Sequence, residues 1–147
     1  MTAFTPTLAI VAFVAMEATT YLAHRFVMHG VGWVLHRSHH APAAGRFEAN
    51  DAYPLVFGSV TVAVMALGYR LPAAGLIAVT AGISAYGCAY LFVHDLYIHG
   101  RLGRLPRMAL LERLRQAHGL HHRFGGEPYG MLLPLRGVGP ARRRSPR

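Results

Sequence analysis

"LPAAGLIAVTAGISAYGCAYLFVHDLYIH", residues 71–99, opens with 23 uncharged residues and closes on two histidines five positions apart. A helix needs about 20 mainly apolar residues to cross the hydrocarbon core of a bilayer, with roughly 17–25 tolerated. This run qualifies, as does "MTAFTPTLAIVAFVAMEATTYLA" at 1–23, whose single charge is Glu17. Residues 52–69, "AYPLVFGSVTVAVMALGY", are just long enough and carry no charge. The mean hydropathy is +0.30 and only 14% of residues are charged, so a soluble protein would have too little polar chain to cover three such helices. The first run has no basic start and no convincing cleavage site, and is expected to be retained as a span. The sequence thus predicts an all-α integral membrane protein of three to four transmembrane helices, the fourth being a short or re-entrant segment near 131–135.

The formal net charge is +9, and all fifteen basic residues are arginine. If 52–69 and 71–93 form a hairpin, only Arg70 lies in its turn, and every other arginine falls on the opposite side. Positive-inside bias makes that side cytoplasmic, with the C-terminus. Nucleic acid is not an expected partner: no binding motif appears, and "RGVGPARRRSPR" at 136–147 is too short and too rich in proline and glycine for a folded module. Residues 1–135 are expected to form one membrane-embedded domain, and 136–147 a disordered basic tail. The lone cysteine, Cys88, excludes an internal disulfide and a cysteine-based zinc site.

All ten histidines stand in four motifs on the arginine-rich side. "HRSHH" carries His36, His39 and His40; "HGLHH" repeats that spacing with His118, His121 and His122. Positions i, i+3 and i+4 fall within one sector of a helix of about 100°, so each motif is a three-imidazole claw. The first helix is expected to stop at Ala41-Pro42. The second is expected to start near Pro106 and stop at Gly125-Gly126, with Leu110, Leu111 and Leu114 sharing the claw's buried face. The pairs His24/His29 and His94/His99 lie about 140° apart on an ideal helix. Each follows a span, however, and a locally widened or frayed helix end would turn both rings toward a site beneath the membrane.

Pair then claw is a repeated order, which predicts two half-sites of five imidazoles each. One first-row ion rarely takes more than six ligands, so ten histidines imply two metals. A single histidine on an apolar face is usually a hydrogen-bonded core residue; four spaced motifs that use every histidine are not explained that way. Asn50, Asp51 and Asp95 are candidates to accept imidazole N–H groups, with helix capping or a loop turn as the competing explanation for each. Glu17, inside the first span, is a functional candidate, with pairing to Tyr86 or Tyr90 as the alternative.

"ATTYLAHRFVMHGVGWVLHRSHH", "FEANDAYPLVFG", "YGCAYLFVHDLYIHGRL" and "RLRQAHGLHHRF" resemble the bacterial β-carotene hydroxylases of the fatty acid hydroxylase/sterol desaturase superfamily. The resemblance runs from about Met16 to Leu135. It implies a histidine-rich di-iron enzyme of the bacterial inner membrane, in which the ten histidines hold iron. It also implies O2 as co-substrate, hydroxylation of β-carotene to β-cryptoxanthin and zeaxanthin, and a ferredoxin-type electron donor. "GGEPYGMLLPL" and the filler of "HDLYIH" depart from the family's usual pattern. Imidazole suits iron, zinc and copper alike, so residue type leaves the metal open.

A fatty-acid or sterol hydroxylase or desaturase is the alternative within the superfamily. A metal transporter would place ligands at mid-bilayer, whereas the histidines stand at span ends and the spans themselves carry only Glu17. A zinc hydrolase would bring a glutamate beside two or three histidines, and no HExxH motif occurs.

Overall fold

In the computed structural model of the chain, residues 4–41, 45 and 47–133 are described. Helix α1 (Phe4–Leu22) runs on as a π-helical stretch, Ala23–Val31, and α2 (Trp33–His40) follows a turn at Gly32. A 3-10 turn, Ala49–Asp51, leads into α3 (Ala52–Arg70). The chain reverses at once into α4 (Ala74–Tyr90), which also ends in a π-helical stretch, Leu91–Ile98. After a loop comes α5 (Ala109–Phe124). The described residues are all-helical, with no strand.

Three continuous helices, Thr5–Val31, Ala49–Arg70 and Ala74–Ile98, are long and apolar enough to cross a membrane. Val11, Val14, Leu55, Val56, Val60 and Val62 point outward, exposed. So much outward apolar surface is an aggregation hazard in water and the required surface in lipid. Helix α4 stands between α1 and α3 and packs on both. Gly82 sets the α1 contact, because a Cβ there would collide with the Ala9 carbonyl.

The expected fourth segment is not a helix at residues 131–133; they fold back against α1. Residues 134–135 and the tail at 136–147 lie outside the described residues.

Helix α5 starts at Ala109, three residues later than Pro106 suggested, and Gly125 ends it with φ +66° and its N–H on the His121 carbonyl at 2.7 Å. Leu114 is buried in a cluster with Val93 and Met131, and Leu111 packs against that cluster, as expected of the claw's buried face. Leu110 does not. It is 72% exposed, at the edge of the sector that the leucines and the claw share.

Candidate metal centre

The five-apart pairs meet because both spans end in π-helix. Backbone bonds there run from i+5 to i, as from the Gly32 N–H to the Val27 carbonyl (2.8 Å) and from the His99 N–H to the His94 carbonyl (3.0 Å). Residues five apart then stack on one face instead of splaying. Ring centroids lie 5.1 Å apart for His24/His29 and 4.6 Å for His94/His99.

All ten imidazoles converge beneath the three long helices, but not as two sequence halves. His24, His29, His36, His40 and His121 place ligand atoms within 4.8 Å of one another, and so do His39, His94, His99 and His118. Each claw splits: the i and i+4 members serve one cluster and the i+3 member crosses to the other. The half-sites expected from motif order are therefore interleaved. His122 joins the rim of the second cluster, its Nε2 at 2.8 Å from that of His118 and its ring stacked on His40 at 4.3 Å.

Five rings are fixed from behind. The Nδ1–H groups of His36, His39 and His94 donate to Asn50 (2.7 Å), Glu48 (3.0 Å) and Asp95 (2.8 Å). Those of His24 and His121 donate to the backbone carbonyls of Tyr129 (2.9 Å) and Gly126 (2.5 Å). With Nδ1 protonated, each Nε2 turns a lone pair inward. Asn50 and Asp95 each accept an imidazole N–H. Asp51 does not: it accepts the Glu48 N–H at 2.9 Å and Arg101 at 2.7 Å and touches no imidazole. Arg101 also reaches Glu48 (3.4 Å) and Asp95 (3.5 Å), bracing the carboxylates behind His39 and His94.

Sequence reasoning missed Glu48, although it stands beside Asn50 in "FEAND"; only the fold of the loop before α3 selects it. The carbonyls of Gly126 and Tyr129 leave no side-chain signal at all.

The residues fit metal ions. The Nε2 atoms of His24 and His36, both lone pairs once Nδ1 is protonated, face each other at 3.1 Å, and the Nε2 atoms of His29/His121 and His99/His118 stand 3.0 and 3.1 Å apart. His39 Nε2 is buried with no hydrogen-bond partner. An unsatisfied buried acceptor is costly unless a ligand takes it. Burial, reinforced by neighbouring imidazoles, holds His118 well below the ordinary histidine range and lowers His40 to about 4 and His122 to about 3. Burial and then Arg101 lower His99 to about 4. These rings are neutral near pH 7, the form that binds metal.

Two cavities reach the cage. One, of about 300 Å³, lies among α1, α3 and α4, bordered by Thr20, Phe57, Gly58, Gly87 and Cys88, and ends at His94 and Asp95. The other, of about 370 Å³, is lined by His99, His118, His122 and Glu112 on the opposite side.

The fatty acid hydroxylase family model matches residues 9–136. The beta-carotene hydroxylase of Pantoea ananas is 39% identical over 122 residues, covering 82% of this chain and 69% of that protein. That of Pseudescherichia vulneris is 40% identical over 124 residues, covering 81% and 68%. The chloroplastic beta-carotene 3-hydroxylase of Haematococcus lacustris is 39% identical over 127 residues, but the chain spans only 39% of its length. No solved structure matches the chain.

Proposed function

Because the chain belongs to the fatty acid hydroxylase family, we propose that it hydroxylates carotenoid β-ionone rings with O2, converting β-carotene to β-cryptoxanthin and then zeaxanthin. The observation that carries this reading is the cavity among the three long helices that ends at His94. A long apolar substrate can keep its tail in lipid and present one ring to the histidine cage. Gly87 borders that cavity, and a Cβ there would meet nothing within 4 Å, whereas Gly82 is taken up by packing against α1.

The proposed ligands are His24, His29, His36, His40 and His121 for one iron, and His39, His94, His99 and His118, with His122 at the rim, for a second. Bound iron would supply the redox chemistry: one oxygen atom of O2 enters the C–H bond and the other leaves as water, on two electrons and two protons. The chain's own share is geometric. Asn50, Glu48 and Asp95 hold their imidazoles in one tautomer and one orientation. The cavity walls orient the ring, which converts an encounter into a positioned reaction. His36, His39, His94 and His121 are buried and keep bulk water from the centre.

The chain is read as one membrane-embedded domain over 1–135 with a basic tail, its histidine cage on the cytoplasmic face of a bacterial inner membrane. Positive-inside bias supports that orientation: Arg70 stands alone at the α3–α4 turn, while exposed Arg37, Arg104, Arg107, Arg113 and Arg123 lie in the segments around the cage. The same face suits an acidic ferredoxin-type donor.

Membranes containing the protein, supplied with β-carotene, a reduced ferredoxin system and 18O2, should yield 3-hydroxylated rings carrying 18O. A labelled hydroxyl on a fatty acid or sterol, with β-carotene untouched, would move the assignment to the other branch of the superfamily.

A further inference from the structure

Glu17 is the one charged residue in α1, and it is buried. No cation pairs with it among the described residues. The Tyr86 hydroxyl donates to Oε2 at 2.6 Å. The Met131 and Leu133 N–H groups donate to Oε1 at 2.8 and 3.0 Å, and the Leu132 N–H lies 3.1 Å from both oxygens. Three successive backbone N–H groups thus form a nest around one carboxylate. The strap that supplies them requires glycine at 130, where a Cβ would stand 2.9 Å from Glu17 Oε1 and 2.7 Å from the Leu133 carbonyl.

The strap leads straight to the metal cage. The residue before Gly130 is Tyr129, whose carbonyl takes the His24 Nδ1–H. Its ring lies 5.4, 5.2 and 5.1 Å from those of His24, His29 and His121, all members of the five-histidine cluster. The second cluster is supported otherwise, by Glu48, Asp95 and Arg101, and none of these touches the strap.

We propose that Glu17 is a positioning residue for the five-histidine cluster alone: its carboxylate seats residues 129–133 so that the Tyr129 carbonyl holds His24 with its Nε2 inward. A glutamine at 17 would keep one acceptor oxygen for the strap but lose the charge, and its NH2 group would face the Leu132 N–H, now 3.1 Å from Oε2, which loosens the strap. A simple brace between α1 and α4 would instead depend on the Tyr86 contact. The inference rests on the two-site reading of the histidine cage.

The test is titration of the metal-free full chain, in lipid nanodiscs, with Co(II), whose visible absorption reports each site. Wild type should bind two equivalents. In Glu17→Gln and Gly130→Ala one equivalent should weaken about 10–100-fold, the range found when a group orienting a metal ligand is lost, with the other unchanged. Tyr86→Phe should keep both. Adding Glu48→Gln to Glu17→Gln should weaken the remaining equivalent. Two unchanged equivalents in Glu17→Gln would overturn the proposal. So would equal weakening of both together with a lower melting temperature, which would mean a general fold defect. Fewer than two equivalents in wild type would overturn the two-site reading and this inference with it.

Discussion

His39 donates its Nδ1–H to Glu48 at 3.0 Å while its Nε2 lies buried without a partner. The ring is aimed from behind and open in front, the arrangement a metal ligand needs. His39→Ala should therefore abolish hydroxylation and remove one metal equivalent, with membrane insertion intact. Glu48→Gln keeps an acceptor but loses the charge, and should weaken metal binding or turnover by about 10–100-fold. Metal analysis of the purified variants checks both; near-normal turnover in His39→Ala would contradict the site.

Much of this was legible in the sequence, for definite reasons. Uncharged runs of span length have one economical solution, so three long helices followed. Ten histidines at i, i+3, i+4 and i, i+5 spacing marked the centre, and a widened or frayed helix end would let the five-apart pairs converge; the π-helical stretches are the widened form. The interleaving was not legible. Whether His39 faces the ring of His36 or that of His94 depends on how α2 docks against the end of α4, and no local spacing encodes that docking. Glu48 and Asp51 look equivalent in "FEAND"; the turn before α3 sends one to His39 and the other to Arg101.

The pH response has a fixed sign. His40 and His99 are lowered to about 4 and His122 to about 3, from an ordinary value of 6.5. Between those limits the unfolded chain binds protons that the folded chain refuses, so stability falls as pH falls. Metal-free protein in detergent should show a melting temperature that drops steadily from about pH 6.5 toward 4. A flat profile across that window would mean that the imidazoles are not buried together.

The cavity among the spans should control substrate use. A Cβ at Gly58 or Gly87 meets nothing within 4 Å, and both line the cavity, so Gly87→Leu should extend into space meant for substrate. KM for β-carotene should rise about tenfold or more, with metal content unchanged. Gly82→Ala is the contrast: its methyl collides with the Ala9 carbonyl, and overpacking of that kind costs about 1–3 kcal/mol. Folded yield, not KM, should suffer.

Orientation can be read by labelling. In a Cys88→Ser background, single cysteines at Arg70 and Arg104 should react with an impermeant maleimide from opposite faces of the membrane, position 104 from the cytoplasm. Labelling of both from one face would break the hairpin topology.

The reaction assigned to this histidine cage is hydroxylation of a carotenoid ring drawn from the bilayer. Its most direct test is pigment chromatography of bacteria that accumulate β-carotene and express either the chain or its His39→Ala variant. The chain should convert β-carotene to β-cryptoxanthin and zeaxanthin, and the variant should leave it unchanged. Unaltered β-carotene with the intact chain, metal bound and a working ferredoxin system present, would contradict the account.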